Sequence, residues 1–451
     1  MNGIEWFDGK KVLIIGLAKS GMAAARVLRK YGAVVVVNDA QDLRGSEEEK
    51  TLTGLGITLV SGSHPLELVD EVEYVVKNPG IRYDNPLVQY ALEKELPVVT
   101  EIELAGFLCR GDMIAISGSN GKTTTTHLIH DMLEESGKTA YLAGNIGKAA
   151  CEVAEQVQKG EIMVTEVSSF QLKGTETFHP QTAVLLNIFD AHLDYHGSRH
   201  DYERSKGKLF RNMDPGNTAV YNSDDPVVTV LAKQSRAALL PFSTEGTNRG
   251  GAYVKDDIFY FQEEAILPVK EAALPGKHNQ ENMLAAIAAA MIHGADIASV
   301  QKVLRSFKGI EHRLQFLKTV DGRRVYNDSK ATNILSTKKA IQAFENPIVL
   351  IAGGLDRGNS FTDLIPALQN VKAAVFYGET KQKLTEAAKK AGVPIVEAKE
   401  TLADAVPAAF SHTDAGDVLL LSPACASWDQ FKTFEERGNH FARAVDTLGN
   451  E

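Results

Sequence analysis

At 451 residues the chain is too long for one ordinary core, so two or three domains are expected. Its composition, 44% hydrophobic and 24% charged, is that of a globular protein in water, and a formal net charge of −10 speaks against nonspecific nucleic-acid binding. No apolar run exceeds strand length, no N-terminal stretch has the flank and run of a signal peptide, and the three cysteines include no C-x-x-C pair, so a cytoplasmic protein without membrane insertion, disulfide framework or cysteine zinc site is expected.

The first segment reads as a doubly wound βα pattern. Lys11–Ile15 is a strand, Gly21–Tyr31 a helix, and Ala33–Val37 a strand ending at Asn38-Asp39. Strands Thr58–Val60 and Tyr74–Val76 follow, the latter running into Asn78-Pro-Gly80. The turn Gly16-Leu-Ala-Lys-Ser-Gly21 has the spacing of a dinucleotide fingerprint, with Ala18 at the position of the second glycine. Asp39 stands where an acidic residue would take a ribose hydroxyl. NAD is one reading; Lys19 and Ser20 at the tip suit a different diphosphate equally well. The acidic run Glu47–Glu49 reads as a solvated helix face.

A boundary falls near Leu96–Glu101. Beyond it, the strand Met113–Ile116 leads into Gly118-Ser-Asn-Gly-Lys-Thr-Thr124 and a helix from Thr123 to about Glu135. That is the strand–loop–helix setting of a phosphate-binding loop. Backbone N–H groups converge on phosphate oxygens, Lys122 reaches the terminal phosphates, and the Thr123 hydroxyl completes a Mg²⁺ shell. Read from Gly118, the loop is one residue shorter than the common G-x-x-x-x-G-K-[ST] pattern; ATP is the expected ligand. Strand Ile162–Val167 runs into Glu166-Val-Ser-Ser-Phe-Gln171, and strand Ala183–Ile188 into Asn187-Ile-Phe-Asp-Ala-His192. In a parallel sheet these loops gather on one edge, which sets Glu166 and His192 toward the triphosphate and its metal, with the strand order left open.

His192, His196 and His200 are spaced i, i+4, i+8, which invites a zinc reading. Gly197 and Ser198 interrupt such a helix, and His196 and His200 read as surface histidines. Tyr202–Phe210 is an amphipathic helix whose Lys206 and Lys208 read, on pattern alone, as a solvated cationic face. Gly276-Lys-His-Asn-Gln-Glu-Asn282 starts an alanine-rich helix; its asparagines either cap that helix or bond a base.

The third segment starts after Ser306–Glu311, with strands Pro347–Ala352, Ala373–Tyr377, Pro394–Val396 and Val418–Leu421 and its own loop, Gly353-Gly-Leu-Asp-Arg-Gly358. Polar clusters sit at His312-Arg313, at Asn327-Asp-Ser-Lys-Ala-Thr-Asn333, and at Ser422-Pro-Ala-Cys-Ala-Ser-Trp-Asp-Gln-Phe431, with Phe434 and Arg437 further along. Such clusters at strand ends are candidate ligand loops.

GSNGKTT, EVSSFQL, the His192 loop, YERSK, GKHNQEN, HR, NDSKATN and SPACASWDQF stand in an order that resembles the Mur ligases, ATP-dependent amide-forming enzymes of peptidoglycan synthesis. The resemblance covers essentially the whole chain, and SPACASWDQF points to the branch that adds D-glutamate. It implies three α/β domains. A Rossmann-like UDP-binding domain would span 1–98, a central P-loop domain with a parallel sheet 99–308, and a Rossmann-like C-terminal domain that binds D-glutamate and closes over ATP 309–451.

The same resemblance implies roles. Gly118, Ser119, Asn120, Gly121, Lys122, Thr123, Thr124, Asn279, Asn282, Arg313 and Asp328 would bind ATP. Gly16, Lys19, Ser20, Asp39, Gly80, Asn145, Ser168 and His192 would hold the UDP-linked substrate, which displaces NAD. Two Mg²⁺ ions would be held by Thr123, Glu166, His192 and Lys206, the last as a carbamate, with Lys122, His192 and Lys206 as the catalytic set. Lys330, Thr332, Arg357, Ser427 and Phe434 would surround D-glutamate. The implied partners are UDP-MurNAc-L-Ala, D-glutamate and ATP, and the implied state is a monomer.

Overall fold

The computed structural model describes residues 3–189, 193–246, 248–344, 346–358 and 360–449, with 193 and 194 described in backbone alone. The chain divides into two compact units, Met1–Phe307 and Lys308–Glu451, and carries three α/β sheets.

The first unit holds two sheets. The N-terminal sheet is parallel, in the order Thr58–Ser61, Val34–Asp39, Lys11–Ile15, Tyr74–Lys77, Val98–Val99. Its central strands are runs of Val and Ile buried on both faces, as parallel sheets covered by helices require. Helix Lys19–Lys30 starts two residues ahead of its expected position and buries Ala23, Ala24, Ala25, Val27 and Leu28.

The central sheet has nine strands, in the order Glu264–Pro268, Ile258–Phe261, Ala252–Lys255, Ala238–Ser243, Thr218–Asn222, Thr182–Leu185, Asp112–Ser117, Ile162–Glu166, Ala140–Gly144. Only the pairings among the three strands of Ala252–Pro268 are antiparallel. The order settles what the sequence leaves open. Asp112–Ser117 lies between the strands that end at Glu166 and Leu185, with Ile116 opposite Glu166 and Ser117 opposite Leu185.

One face of this sheet packs on helices Lys122–Glu135 and Lys277–Ile292, the latter buried from Asn282 through Ala290 because its alanines leave no polar side. The other face shares a core with helix Lys19–Lys30 through Ile102, Leu104, Ala150, Cys151, Tyr202 and Leu209. That shared apolar layer makes the two sheets one unit.

In the second unit the order is Gln315–Val320, Arg323–Asn327, Val418–Leu421, Ile348–Gly353, Val371–Tyr377, Ile395–Ala398, with only the first pair antiparallel. The parallel strands bring Asn327, Leu421, Gly353 and Tyr377 to one edge, so the loops that begin at Asn327, Ser422 and Gly353 leave the sheet side by side. Among the described residues no helix is long and apolar enough to cross a membrane.

Candidate active site

Helix Lys122–Glu135 begins at Gly121, whose φ of 83° is in the left-handed region. A Cβ on Gly121 would lie 2.1 Å from Asn282 Oδ1, so glycine is required by conformation and by space. Asn282 is buried, and its Oδ1 accepts from the Thr125 hydroxyl at 3.4 Å. Neither asparagine of the Gly276–Asn282 stretch caps the helix. Gly276 is the N-cap and has no side-chain bond, and Asn279 donates its amide to the Pro275 carbonyl at 2.8 Å.

The loop is gripped from the neighbouring strand end. Asn187 accepts the Ser119 N–H on its carbonyl and the Asn120 N–H on its Oδ1, both at 2.9 Å. Ser119 Oγ lies 2.8 Å from the Tyr202 hydroxyl. Neither Asn187 nor Tyr202 was singled out from sequence. The available signals were Asn187 opening the segment that follows its strand, and Tyr202 standing one helical turn from Lys206.

Lys122 folds back on its own loop, donating to the carbonyls of Gly118 at 2.8 Å and Ser119 at 3.0 Å. Thr123 donates to Glu166 Oε2 at 2.6 Å, and Asn145 donates to Glu166 Oε1 at 2.7 Å. Thr124 is half-buried on the same turn.

Lys206 overturns the surface reading. It is 1% exposed because the inward stripe of helix Arg199–Arg211, made by Tyr202, Ser205, Leu209 and Phe210, passes through its position. Its ammonium donates to Gly118 O at 2.8 Å and sits 5.0 Å from the centre of the Tyr202 ring. Burial pushes this amine well below the usual lysine range; Lys122 pushes in the same direction and Glu166 opposes both. Lys208 also leaves the solvated face and donates to the carbonyls of Lys173 and Thr175 at 2.7 and 2.8 Å.

His192 lies outside the described residues. His196 is buried, not surface, and joins Asp201 Oδ2 at 3.2 Å to Ser169 Oγ at 3.1 Å, while His200 is exposed. Among the described residues no three His, Cys, Asp or Glu side chains cluster as a metal cage. Glu166 and Thr123 instead offer one carboxylate and one hydroxyl, a hard-oxygen pair that fits a Mg²⁺ completed by phosphates and water.

The N-terminal loops adjoin this cluster. Asn78 donates to Ser20 Oγ at 2.8 Å, and the Gly80 N–H donates to Asn78 Oδ1 at 3.1 Å. Gly16 takes a φ of 87° directly after its strand. Asp39 accepts the Leu17 N–H at 2.8 Å and the Gln41 N–H at 2.9 Å, so its carboxylate closes the glycine turn. Lys19 reaches across to the Gly147 carbonyl, two residues from Asn145. Ser168 caps helix Ser169–Lys173 through a reciprocal box with Gln171. The structure thus joins the turn at Ser20, the Asn145–Glu166 pair and the phosphate loop in one run of contacts.

In the second unit, Asp328 is buried and accepts from Ser422 Oγ at 2.8 Å and the Leu314 N–H at 3.0 Å. Burial raises its carboxyl to about 6 against the opposing pull of those bonds and of Arg313. Lys330 Nζ lies 5.5 Å from the centre of the Phe434 ring, and the Thr332 N–H donates to the Lys330 carbonyl at 2.9 Å. The Arg357 guanidinium lies 4.7 Å from the ring of the exposed Trp428, and the adjacent Ser427 is buried. Lys330, Thr332, Arg357 and Ser427 come from loops on one sheet edge, and Phe434 opens helix Phe434–Asp446.

Three sheets covered by helices and a glycine loop flanked by a carboxylate and a buried lysine are the arrangement of a protein that binds a nucleoside triphosphate. Comparison with known proteins narrows the class. Residues 10–100 match the Mur ligase MurD-like N-terminal domain, 116–290 the Mur ligase middle domain, and 312–425 the Mur ligase glutamate ligase domain. The UDP-N-acetylmuramoylalanine–D-glutamate ligase of Geobacillus kaustophilus is 53% identical over 99% of this chain and 100% of its own. The protein of the same name from Halalkalibacterium halodurans is 52% identical at the same coverage.

Among solved structures, UDP-N-acetylmuramate-alanine ligase from Thermotoga maritima aligns over 97% of this chain and 99% of its own, with a TM-score of 0.55 at 19% identity. A pseudomurein peptide ligase from Methanothermus fervidus aligns over 98% and 100%, with a TM-score of 0.54 at 17% identity. Those two show the shared fold. The chain belongs to the Mur ligase family.

Proposed function

We propose that the chain joins D-glutamate to UDP-N-acetylmuramoyl-L-alanine in the synthesis of peptidoglycan precursors, splitting ATP to ADP and phosphate. The observation that carries this reading is the end-to-end match, at 53% identity, to a ligase named for that reaction. In the first step a carboxylate oxygen of the alanyl group bonds to the γ-phosphorus and the bond to ADP breaks, giving an acyl phosphate. The D-glutamate amine then bonds to the acyl carbon, loses a proton, and phosphate departs.

The obstacle is repulsion between a carboxylate and a triphosphate. Lys122, already at the phosphate loop, would swing from the Gly118 and Ser119 carbonyls onto the terminal phosphates. Thr123 and Glu166 would hold one Mg²⁺ and His192 a second; when bound, these ions supply positive charge against the phosphate oxygens. The depressed pKa of Lys206 favours the neutral amine, the form that adds to CO₂. That addition to the neutral amine forms an N–C bond, releases one proton, and would leave an anionic oxygen donor where a protonated lysine would put a cation.

Gly16, Lys19 and Ser20 would sit at the diphosphate, Asp39 near the uridine and Asn145 at the muramoyl part, with Gly80, Ser168 and His192 also holding the UDP-linked substrate. Gly118–Thr124, Asn279, Asn282, Arg313 and Asp328 would take ATP. Lys330, Thr332, Arg357, Ser427 and Phe434 would take D-glutamate, Arg357 offering a bidentate fork to a carboxylate. We assign 1–98, 99–308 and 309–451 as the three domains of a cytoplasmic monomer.

The test is phosphate release from ATP with UDP-N-acetylmuramoyl-L-alanine, comparing D-glutamate, L-glutamate and meso-diaminopimelate. Release with D-glutamate alone, with the product seen by mass, supports the reading. Release with a different amino acid moves the chain to a sister activity.

A further inference from the structure

Arg437, on the first turn of helix Phe434–Asp446, is 0% exposed. Its Nε donates to Ser329 Oγ at 3.0 Å and its Nη2 to the Ser329 carbonyl at 2.8 Å, while Ser329 Oγ itself donates to the Phe434 carbonyl at 2.8 Å. Both bonds thus end on one residue, next to Lys330. The third nitrogen, Nη1, has no hydrogen-bond partner. A Cβ on Gly354 would lie 3.2 Å from it, so this nitrogen faces the start of the loop that carries Arg357. The Tyr377 hydroxyl is buried beside the guanidinium, a neutral neighbour whose pKa burial pushes up and Arg437 pulls down, and Asp429 Oδ1 is buried without a bond. Among the described residues no carboxylate comes within the 4.0 Å of an ion pair with Arg437.

A guanidinium removed from water without a counter-charge is costly, and breaking even by hydrogen bonds to one serine is poor compensation. Its surroundings say where compensation would come from. Ser329 belongs to the Lys330–Thr332 loop, Gly354 to the Arg357 loop, and Asp429 follows Ser427. Arg437 is the side chain that meets both of the first two.

We propose that Arg437 is a positioning and specificity-determining residue for the amino-acid substrate. Its fork fixes Ser329 and so the Lys330–Thr332 loop, and its uncompensated charge favours an amino acid that brings a second carboxylate. This rests on the reading of the second unit as the D-glutamate site.

The experiment uses the full chain in wild-type form and as Arg437→Lys, Arg437→Met and Ser329→Ala. The readouts are kcat, the KM of each substrate, the thermal midpoint, and the ratio of kcat/KM for D-glutamate over its neutral isostere D-glutamine. Arg437→Lys keeps charge but loses the fork and should raise the KM for D-glutamate about tenfold, the scale of one charged hydrogen bond. The KM values for ATP and the UDP-linked substrate should stay within about twofold. Ser329→Ala should give the same pattern, more weakly. Arg437→Met should also lower the D-glutamate over D-glutamine ratio about tenfold or more, which a purely structural role would not do.

An unchanged D-glutamate KM in Arg437→Lys and Ser329→Ala, or three KM values rising together, overturns the proposal even if Arg437→Met does not fold. No D-glutamate-dependent release by the wild type overturns the functional reading, and this proposal with it.

Discussion

Two glycine loops in the first unit share a backbone plan and differ in charge. Gly16–Gly21 and Gly118–Thr124 each follow a buried parallel strand and open a helix. Over the first, a carboxylate closes the turn, since Asp39 holds the Leu17 N–H, and the one lysine at the tip reaches away to Gly147. Over the second, two lysine amines, Lys122 and Lys206, share a single carbonyl, that of Gly118. A glycine loop therefore offers N–H groups to phosphate in general. The side chains that arrive from distant segments set the charge that surrounds each loop.

The sharpest way to break this comparison is Lys206→Ala, which should lower kcat by about a thousandfold, as loss of a preorganised charged group does. A small exogenous carboxylate should restore part of the rate; full activity without it would show that the second loop does not need its second lysine. Lys122→Ala should cost about a hundredfold in kcat with the KM for the UDP-linked substrate unchanged, read by steady-state phosphate release.

At the first loop the effects should be on binding. Lys19→Ala, which frees the Gly147 carbonyl, should raise the KM for the UDP-linked substrate about fivefold and leave that for ATP alone. Asp39→Asn should do the same at about threefold, because the two N–H groups reach different carboxylate oxygens and an amide keeps only one of those oxygens. Equal effects on ATP would erase the distinction between the loops.

A last test uses pH. Lys206 has a folded-state pKa below its ordinary 10.5, so the folded protein holds that proton less tightly than the unfolded chain does. Its contribution is therefore fully present above 10.5 and is lost as pH falls through the folded value. In CO₂-free buffer the stability of Lys206→Met relative to wild type should accordingly grow as pH is lowered, measured by denaturant melts.

Much of the fold was legible because buried parallel strands are short runs of Val and Ile bounded by glycine or asparagine. Val418–Leu421 matches residue for residue, and Asp112–Ser117 extends its expectation by one residue at each end. Strand order was not legible, since it depends on which helix covers which face.

The pattern reading of Lys206 and Lys208 as solvated failed for a related reason. A lysine within an apolar stripe looks like the edge of that stripe, and the carbonyl that receives Lys206 lies 88 residues away in the chain. His196 was misplaced likewise, because Ser169 and Asp201, which satisfy its two nitrogens, belong to other elements. The antiparallel strands of Ala252–Pro268 escaped notice because their aromatic and acidic residues carry no clean alternation.

The fit of Asn282 over Gly121 has a consequence for synthesis on the ribosome. The side chain that occupies the space above the phosphate loop is encoded far downstream, on the helix that also closes the central core. A nascent chain that has emerged only through the loop carries every residue of the nucleotide motif and still lacks its lid of packing. The packing above the phosphate loop is thereby completed only once the helix that follows the last strand of the central sheet has been made.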